Sequence, residues 1–310
     1  MTLRTFLTLL KRESWEHRSL VWLPLLTAAL IVATALISTQ VAGMARVRIT
    51  LDGGERDFFA SLAVDPQAQA QLFGVWMGSL VAPIMLVAAV VLFFYLLDAL
   101  YAERKDRSIL FWKSLPVSDG ATVISKAVTA LVAVPLWVWL LSLITGLLTF
   151  AIVAVKVAGT PVAPLGNFHF GVWVVLQLTL LQNVLIAALW YAPLAAWLLL
   201  VSVWARRSPF LWAVLPPGLL ALFEEITFGR SQVAHFIGYR FSGFFDAMGP
   251  GLAVKSDEID TTSMLQSIRE AYEGMSAVSL LGTPDLYLGV LAAAALLWLT
   301  IRLRRWRDDA

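Results

Sequence analysis

Long uncharged runs broken by short polar stretches set the plan of this chain. From about Leu20 to Gly43 no charge interrupts the sequence, and Arg18 and Arg46 bracket the run. A helix of that length covers a hydrocarbon core of about 30 Å, so the run reads as a first membrane span. Further spans read at about Leu72–Leu97, Ala127–Val155, Gly171–Val203, Pro209–Phe223 and Leu286–Ile301. Pro24 falls in the first turn of span one, where a missing N–H costs little, whereas Pro135 inside span three predicts a bend. Span four is the ambiguous one, since roughly 33 residues make a helix of about 50 Å, more than a crossing needs. Splitting it at Pro193 leaves about a dozen residues, too few to cross, so one long span is expected, bent or straight. Span five is short and broken by Pro216-Pro217.

The polar stretches carry their own periodicity. In residues 1–19, Leu3, Phe6, Leu7, Leu10 and Trp15 fall near one side, with Arg4, Lys11, Arg12 and Glu13 elsewhere. Such a segment lies in the membrane interface, unless it is a plain basic flank. Residues 45–71 form a polar loop with a turn signal at Asp52-Gly-Gly54. In the long loop 228–285, Val233, Phe236, Ile237, Phe241, Phe244, Phe245 and Met248 recur at three and four residues, an apolar helical stripe. Gly249-Pro-Gly251 ends it, and residues 257–279 read as a second, more polar helix. The expected fold is therefore an all-α polytopic membrane protein. It has six transmembrane helices, an N-terminal interfacial helix and short external helices between spans five and six.

Composition agrees with that plan and narrows it. The chain has 310 residues, 59% hydrophobic and 14% charged, and a mean hydropathy of +0.78. Soluble domains carry about a quarter charged residues. The net charge of +2 does not imply a nucleic-acid partner, because the basic residues flank apolar spans. Six spans put both termini on one side, where 15 Lys and Arg fall, against 8 on the other. The positive-inside rule then makes both termini cytoplasmic, as in a bacterial inner-membrane protein. The first apolar run exceeds the hydrophobic region of a signal peptide, so none is expected to be cleaved. The absence of cysteine excludes disulfides and thiolate chemistry.

Catalytic chemistry finds little purchase. No G-x-x-x-x-G-K-[ST] occurs to cradle nucleotide phosphates, and no H-E-x-x-H occurs. His17, His169 and His235 are far apart in sequence, so no metal site is expected on them, and no histidine sits mid-span to activate a nucleophile. The chain reads as no enzyme and as binding no cofactor itself. Gln177, Gln182 and Asn183 in span four are polar residues at membrane depth. Gln182 and Asn183 are pathway candidates, with hydrogen bonding between neighbouring helices as the alternative. Glu224 and Glu225 close span five, either on the pathway or as anchors at the interface. The 13 tryptophans, including Trp22, Trp76, Trp173, Trp204 and Trp212, cluster near span ends as interfacial anchors.

The loop 98–126 is the densest charge run. Glu103 precedes Arg107 by four residues, the orientation that supports a helical turn. Ile109-Leu110-Phe111-Trp112 follow, and four consecutive apolar residues cover every side of a helix, so lipid on one face cannot hide them all. Pro116 ends the turn and Ser118 is placed to cap the next helix. The run E-R-K-D-R-S-I-L-F-W-K-S-L-P-V-S, with Lys11-Arg-Glu-Ser-Trp-Glu16 and the order of spans, resembles permeases of the type-2 ABC transporter family, which includes drug, polysaccharide and sodium exporters. The likeness covers most of the chain and fades between Gly229 and Pro284. It implies that Glu103, Arg104, Arg107, Ile109, Leu110, Phe111 and Trp112 form a cytoplasmic coupling helix docked on a separate ATP-binding subunit, which carries ATP and Mg. It further implies a permease dimer, homo- or heteromeric, with spans one, two and five at its interface and the external helices capping the pathway's mouth. Rival classes are an ion-driven secondary transporter, which calls for mid-span charges and inverted repeats, and a membrane scaffold for an ATPase.

Overall fold

In lipid only a helix or a closed barrel satisfies every backbone N–H and C=O, and the uncharged runs fold as helices. The computed structural model describes residues 3–38, 48–51, 54–57, 65–106, 117–160, 163–248 and 261–306. In chain order the helices are α1 (Leu3–Glu16), α2 (Ser19–Ile37), α3 (Pro66–Ser79), α4 (Val81–Asp98), α5 (Tyr101–Lys105) and α6 (Asp119–Val128). They continue with α7 (Val134–Val157), α8 (Phe170–Trp190), α9 (Ala192–Trp204), α10 (Pro209–Phe228), α11 (Gln232–Ala247), α12 (Thr261–Glu273) and α13 (Pro284–Trp306). Among the described residues, six helical stretches are long and apolar enough to cross a membrane: Ser19–Ile37, Pro66–Lys105, Asp119–Val157, Phe170–Trp190, Pro209–Phe228 and Pro284–Trp306. This is the architecture of a polytopic membrane protein. The polar loop after span one contains an antiparallel hairpin, β1 (Arg48–Leu51) with β2 (Gly54–Asp57), registered Leu51 to Gly54 and Arg48 to Asp57.

Several span boundaries move, each for a local reason. Span one begins at Ser19, so Pro24 lies beyond its first turn, inside the helix. Span two is preceded by α3, whose start Asp65 caps by accepting from the N–H of Gln67 at 2.9 Å. Span three starts at Asp119, where Ser118 Oγ accepts from Ala121 N–H at 3.2 Å, the cap expected from the sequence. A π-helical turn, Thr129–Ala133, lies directly before Pro135, and the wider turn takes up the backbone mismatch that proline creates. Span four breaks at Tyr191 but runs on. Tyr191 N–H donates to Ala187 C=O and Ala195 N–H donates to Tyr191 C=O, so Pro193 makes a kink and no hairpin. Span five extends to Phe228, which puts Glu224 and Glu225 inside its last two turns instead of beyond its end.

The main core joins α2, α4, α6, α7 and α9. Leu20, Ile84, Val123, Val138 and Leu199 fill it, and Ala28, Ala88, Ala127, Ala130 and Ala195 let the backbones approach. Small residues are the usual means of close packing where lipid offers no hydrophobic drive between helices. A second cluster near the α3–α7–α8 contact stacks three rings edge to face: Phe73, Phe150 and Phe168, with centroids 5.1–5.4 Å apart. Lys156, near the end of α7, donates to the carbonyls of Ala35, Leu36 and Ser38 at 2.6–2.8 Å. It thereby closes the C-terminus of α2, where unpaired carbonyls concentrate negative charge.

Candidate functional site

Charged residues converge where α1, α4, α5, α6 and α13 meet, at the end of the bundle that carries Leu3 and Trp306; we call it the terminal end. Glu13 on α1 is fully buried, Lys126 on α6 is 1% exposed, Arg304 on α13 is 4% and Glu103 on α5 is 7%. Lys126 Nζ donates to both Glu13 oxygens at 3.0 and 3.1 Å and lies 3.2 Å from Glu103 Oε1. Arg304 NH1 reaches Glu103 Oε2 at 2.7 Å, and its Nε reaches Asp119 Oδ1 at 3.0 Å. Arg12 NH2 sits 3.3 Å from an oxygen of each glutamate. Tyr95 of α4 donates its hydroxyl to Glu13 Oε2 at 2.8 Å. Three carboxylates, Glu13, Glu103 and Asp119, thus meet three cations, Arg12, Lys126 and Arg304. Charges this buried persist only when paired and hydrogen-bonded, and here they neutralise one another.

The foot of the charged loop is fastened at the same place. Ser202 Oγ on α9 accepts from the N–H groups of Leu100 and Tyr101 at 2.9 and 3.0 Å. Arg104 donates back to the carbonyls of Ser202 and Ala205 at 2.6 and 2.8 Å, closing the C-terminus of α9. Of the expected coupling residues, then, Glu103 and Arg104 turn inward and tie the loop's foot to the bundle. Arg107, Ile109, Leu110, Phe111 and Trp112 lie outside the described residues.

His17, at the α1–α2 junction, packs edge-on against Tyr95 at 4.8 Å. Burial holds its pKa below the usual 6.5 and the Lys126 ammonium lowers it further, against the pull of Glu13, Glu16 and Asp98. Glu13, Glu16 and His17 offer ligand atoms within 4.8 Å of one another, a spacing that would suit a metal ion. The Lys126 ammonium, however, already bridges both Glu13 oxygens, so the positive charge at that point is supplied by the chain itself. His169 begins α8 and His235 is exposed on α11, so the three histidines stand on separate elements.

The opposite end is organised around an amide and an arginine. Asn183 Nδ2 donates to Met275 C=O at 2.6 Å and its Oδ1 accepts from Ala277 N–H at 3.0 Å, while Gln182 reaches Ser276 at 3.2 Å. Both amides therefore pin the segment between α12 and α13. Arg240 on α11 is 2% exposed and lies 4.6 Å from the Trp190 ring centroid. It donates to the carbonyls of Trp190 and Asp285, and Trp190 Nε1 donates back to Arg240 C=O at 3.0 Å. Its seat depends on Gly289, where a Cβ would stand 2.6 Å from the guanidinium. The face of α11 that meets the bundle is thus Arg240, Gly243 and Phe244, whereas Phe236, Phe241 and Phe245 of the expected apolar stripe are exposed. Glu224 caps α11, accepting from Val233 N–H at 3.0 Å and from Ser231 Oγ at 3.3 Å, while Glu225 is exposed on α10.

Sequence reasoning missed the pairing of Glu13, Lys126 and Arg304, and the burial of Arg240, which with His235 on the external helix reads as an alternative seat of the exit chemistry. A signal was present for the first. Glu13 lies about 160° around α1 from Lys11 at 100° per residue, so it is opposite the basic stripe and faces the body of the protein. Lys126 reads as the last residue of the loop when span three is expected to start at Ala127, whereas helix α6 begins seven residues before it. No protein-family model, curated protein or solved structure matches the chain.

Proposed function

We propose that this chain is the membrane-spanning permease subunit of an ATP-driven exporter, working as a dimer of permeases with a separate ATP-hydrolysing subunit. The observation that carries the reading is the anchoring of the charged loop. Its foot is held by Glu103 and Arg104 to α1, α6, α9 and α13, and its next apolar run, Ile109–Trp112, needs a protein partner. A push delivered to the loop would pass through the ionic cluster to spans three and six and to the interfacial helix together. The chain itself has no phosphate-binding loop, so ATP and Mg belong to the partner. On this reading the terminal end, which carries the excess of Lys and Arg, faces the cytoplasm across a bacterial inner membrane and the pathway opens at the Arg240 end; the positive-inside rule supports that orientation.

The test is purification of the tagged chain from native membranes, with mass spectrometry and an ATPase assay. A stoichiometric partner bearing G-x-x-x-x-G-K-[ST] and hydrolysing Mg-ATP is expected, and Phe111→Ala with Trp112→Ala should release it, since aromatic anchors often contribute ~2 kcal/mol or more. Recovery of the permease without any ATP-hydrolysing partner would overturn the reading. One observation favours a second reading: Lys126, at the start of the third candidate span, is buried against Glu13, and ion-driven transporters use charged residues within their spans. That reading requires uptake into proteoliposomes holding this chain alone, driven by a proton or sodium gradient.

A further inference from the structure

Two helices at the terminal end turn charged residues into the ionic cluster, Arg12 and Glu13 from α1 and Arg304 from α13, and present tryptophan and cations on another face. On α1, Arg4, Leu7, Thr8, Lys11 and Trp15 are all exposed and lie within roughly a 100° arc at 100° per residue, while Leu9 and Glu13 are buried on the other side. Lys11 Nζ stands 4.9 Å from the Trp15 ring centroid, and Trp15 is 67% exposed. On α13, Trp298, Arg302 and Trp306 follow at four-residue spacing on the face away from Thr300 and Arg304. Arg302 stands 4.2 Å from the Trp298 ring centroid, and Trp306 is 83% exposed. No acidic residue lies within either stripe.

We propose that Lys11–Trp15 and Arg302–Trp298 bind the phosphate headgroups of anionic phospholipids. The physical reasons are complementary. A tryptophan at the headgroup level anchors its ring in the apolar boundary and braces the neighbouring cation through its π face. The cation has no carboxylate partner within its stripe and is left to donate outward, to the lipid phosphate. Leu7 provides further apolar contact, so α1 lies flat with its cations at the level of the phosphates. Because Glu13 on the opposite face locks α1 to Lys126, headgroup binding and the ionic cluster hold the helix from two sides. This inference requires only that the chain sits in a membrane and is independent of the exporter reading.

The experiment uses purified full-length protein in detergent micelles doped with phosphatidylglycerol or, at equal mole fraction, phosphatidylcholine. Native mass spectrometry counts retained lipids and thermal unfolding reports their effect. Phosphatidylglycerol should be retained and should raise the unfolding midpoint, and phosphatidylcholine should do neither. Each surface cation contributes about five-fold in anionic-lipid affinity. Lys11→Gln with Arg302→Gln should therefore weaken retention on the order of 20-fold and remove most of the rise. Both residues are exposed, and the variant should unfold like the wild type in phosphatidylcholine micelles. Equal phosphatidylglycerol retention by variant and wild type would overturn the proposal, as would equal stabilisation by phosphatidylcholine. A matching rise with soluble glycerol phosphate would also overturn it, assigning the site to free phosphate instead of lipid.

Discussion

Removing Lys126 tests whether the ionic cluster holds the terminal end together. Lys126→Met keeps a similar side-chain length but deletes the ammonium that contacts both oxygens of Glu13 and one of Glu103. Glu103 retains Arg304 at 2.7 Å, whereas Glu13 is left with Tyr95 at 2.8 Å and Arg12 at 3.3 Å. Glu13 is therefore the group that suffers, a fully buried carboxylate without its principal counter-charge. Breaking one partner out of a buried pair costs about 3–5 kcal/mol. With an unfolding entropy of ~2.1 cal/mol/K per residue, the 310 residues give about 0.65 kcal/mol/K. The expected fall in thermal midpoint is about 5–8 °C, read by tryptophan fluorescence or by retention of the monodisperse peak after heating.

The single variant alone cannot separate charge from packing, and a cycle with Glu13→Gln does. If the cost arises from an uncompensated carboxylate, neutralising Glu13 as well should restore about 1–3 kcal/mol relative to the sum of the two singles, the usual coupling for residues in one network. Strict additivity, or a Lys126→Met midpoint within about 1 °C of wild type, would refute the electrostatic account.

Three further outcomes follow from the same geometry. Gly289→Ala places a Cβ 2.6–2.9 Å from the Arg240 guanidinium, so the arginine must leave its seat over Trp190; protease sensitivity of α11 should rise, and Arg240→Ala in the same background should add little further. Asn183→Ala deletes a donor and an acceptor that satisfy Met275 C=O and Ala277 N–H, at about 1–3 kcal/mol for each backbone group left unpaired, measured as a lowered midpoint; an unchanged midpoint would make the amide dispensable. His17 has its folded pKa held below 6.5, so the unfolded chain takes up a proton first as pH falls; stability should be flat above about pH 6.5 and decline below it, and His17→Gln should flatten that decline.

What could be read in advance divides along a physical line. Span positions come from continuous apolar runs, a signal that depends on each residue's own chemistry, and the helices fall where those runs do. Helix ends were harder, because they depend on single contacts. Span five continues to Phe228 through two glutamates since Glu224 has a use there, as cap to the following helix. The faces of α1 were only partly legible for a related reason. Leu7 and Trp15 share an exposed face and Glu13 lies elsewhere, as hydrophobicity suggests, but Arg4 and Lys11 lie on the face of Leu7 and Trp15, and Glu13 is buried against the bundle. A buried charge has no sequence signal of its own. Lys126 and Glu13 lie 113 residues apart, and Glu103 and Arg304 lie 201 apart, so each reads as a solvated charge until its partner is placed.

The cluster's position, more than its energy, argues for a mechanical role. A buried ion pair is weak evidence of stabilisation, because desolvation offsets much of the attraction and apolar replacements are often as stable. Its firmer consequence is geometric. Helices in lipid gain little hydrophobic drive toward one another, so their apolar faces specify register loosely. Polar contacts specify it tightly, because a slip of one turn, about 5.4 Å, leaves every partner unpaired in a medium without water. In this chain those contacts connect the short helix α5 to α1, α6 and α13, and Ser202 with Arg104 adds α9. A displacement of α5 that kept its pairs intact would carry α1, α6, α9 and α13 with it. A displacement that left them behind would expose Glu103 as an unpaired buried charge. The first course costs less, and so the loop's foot is built to move with the spans or to stay fixed with them.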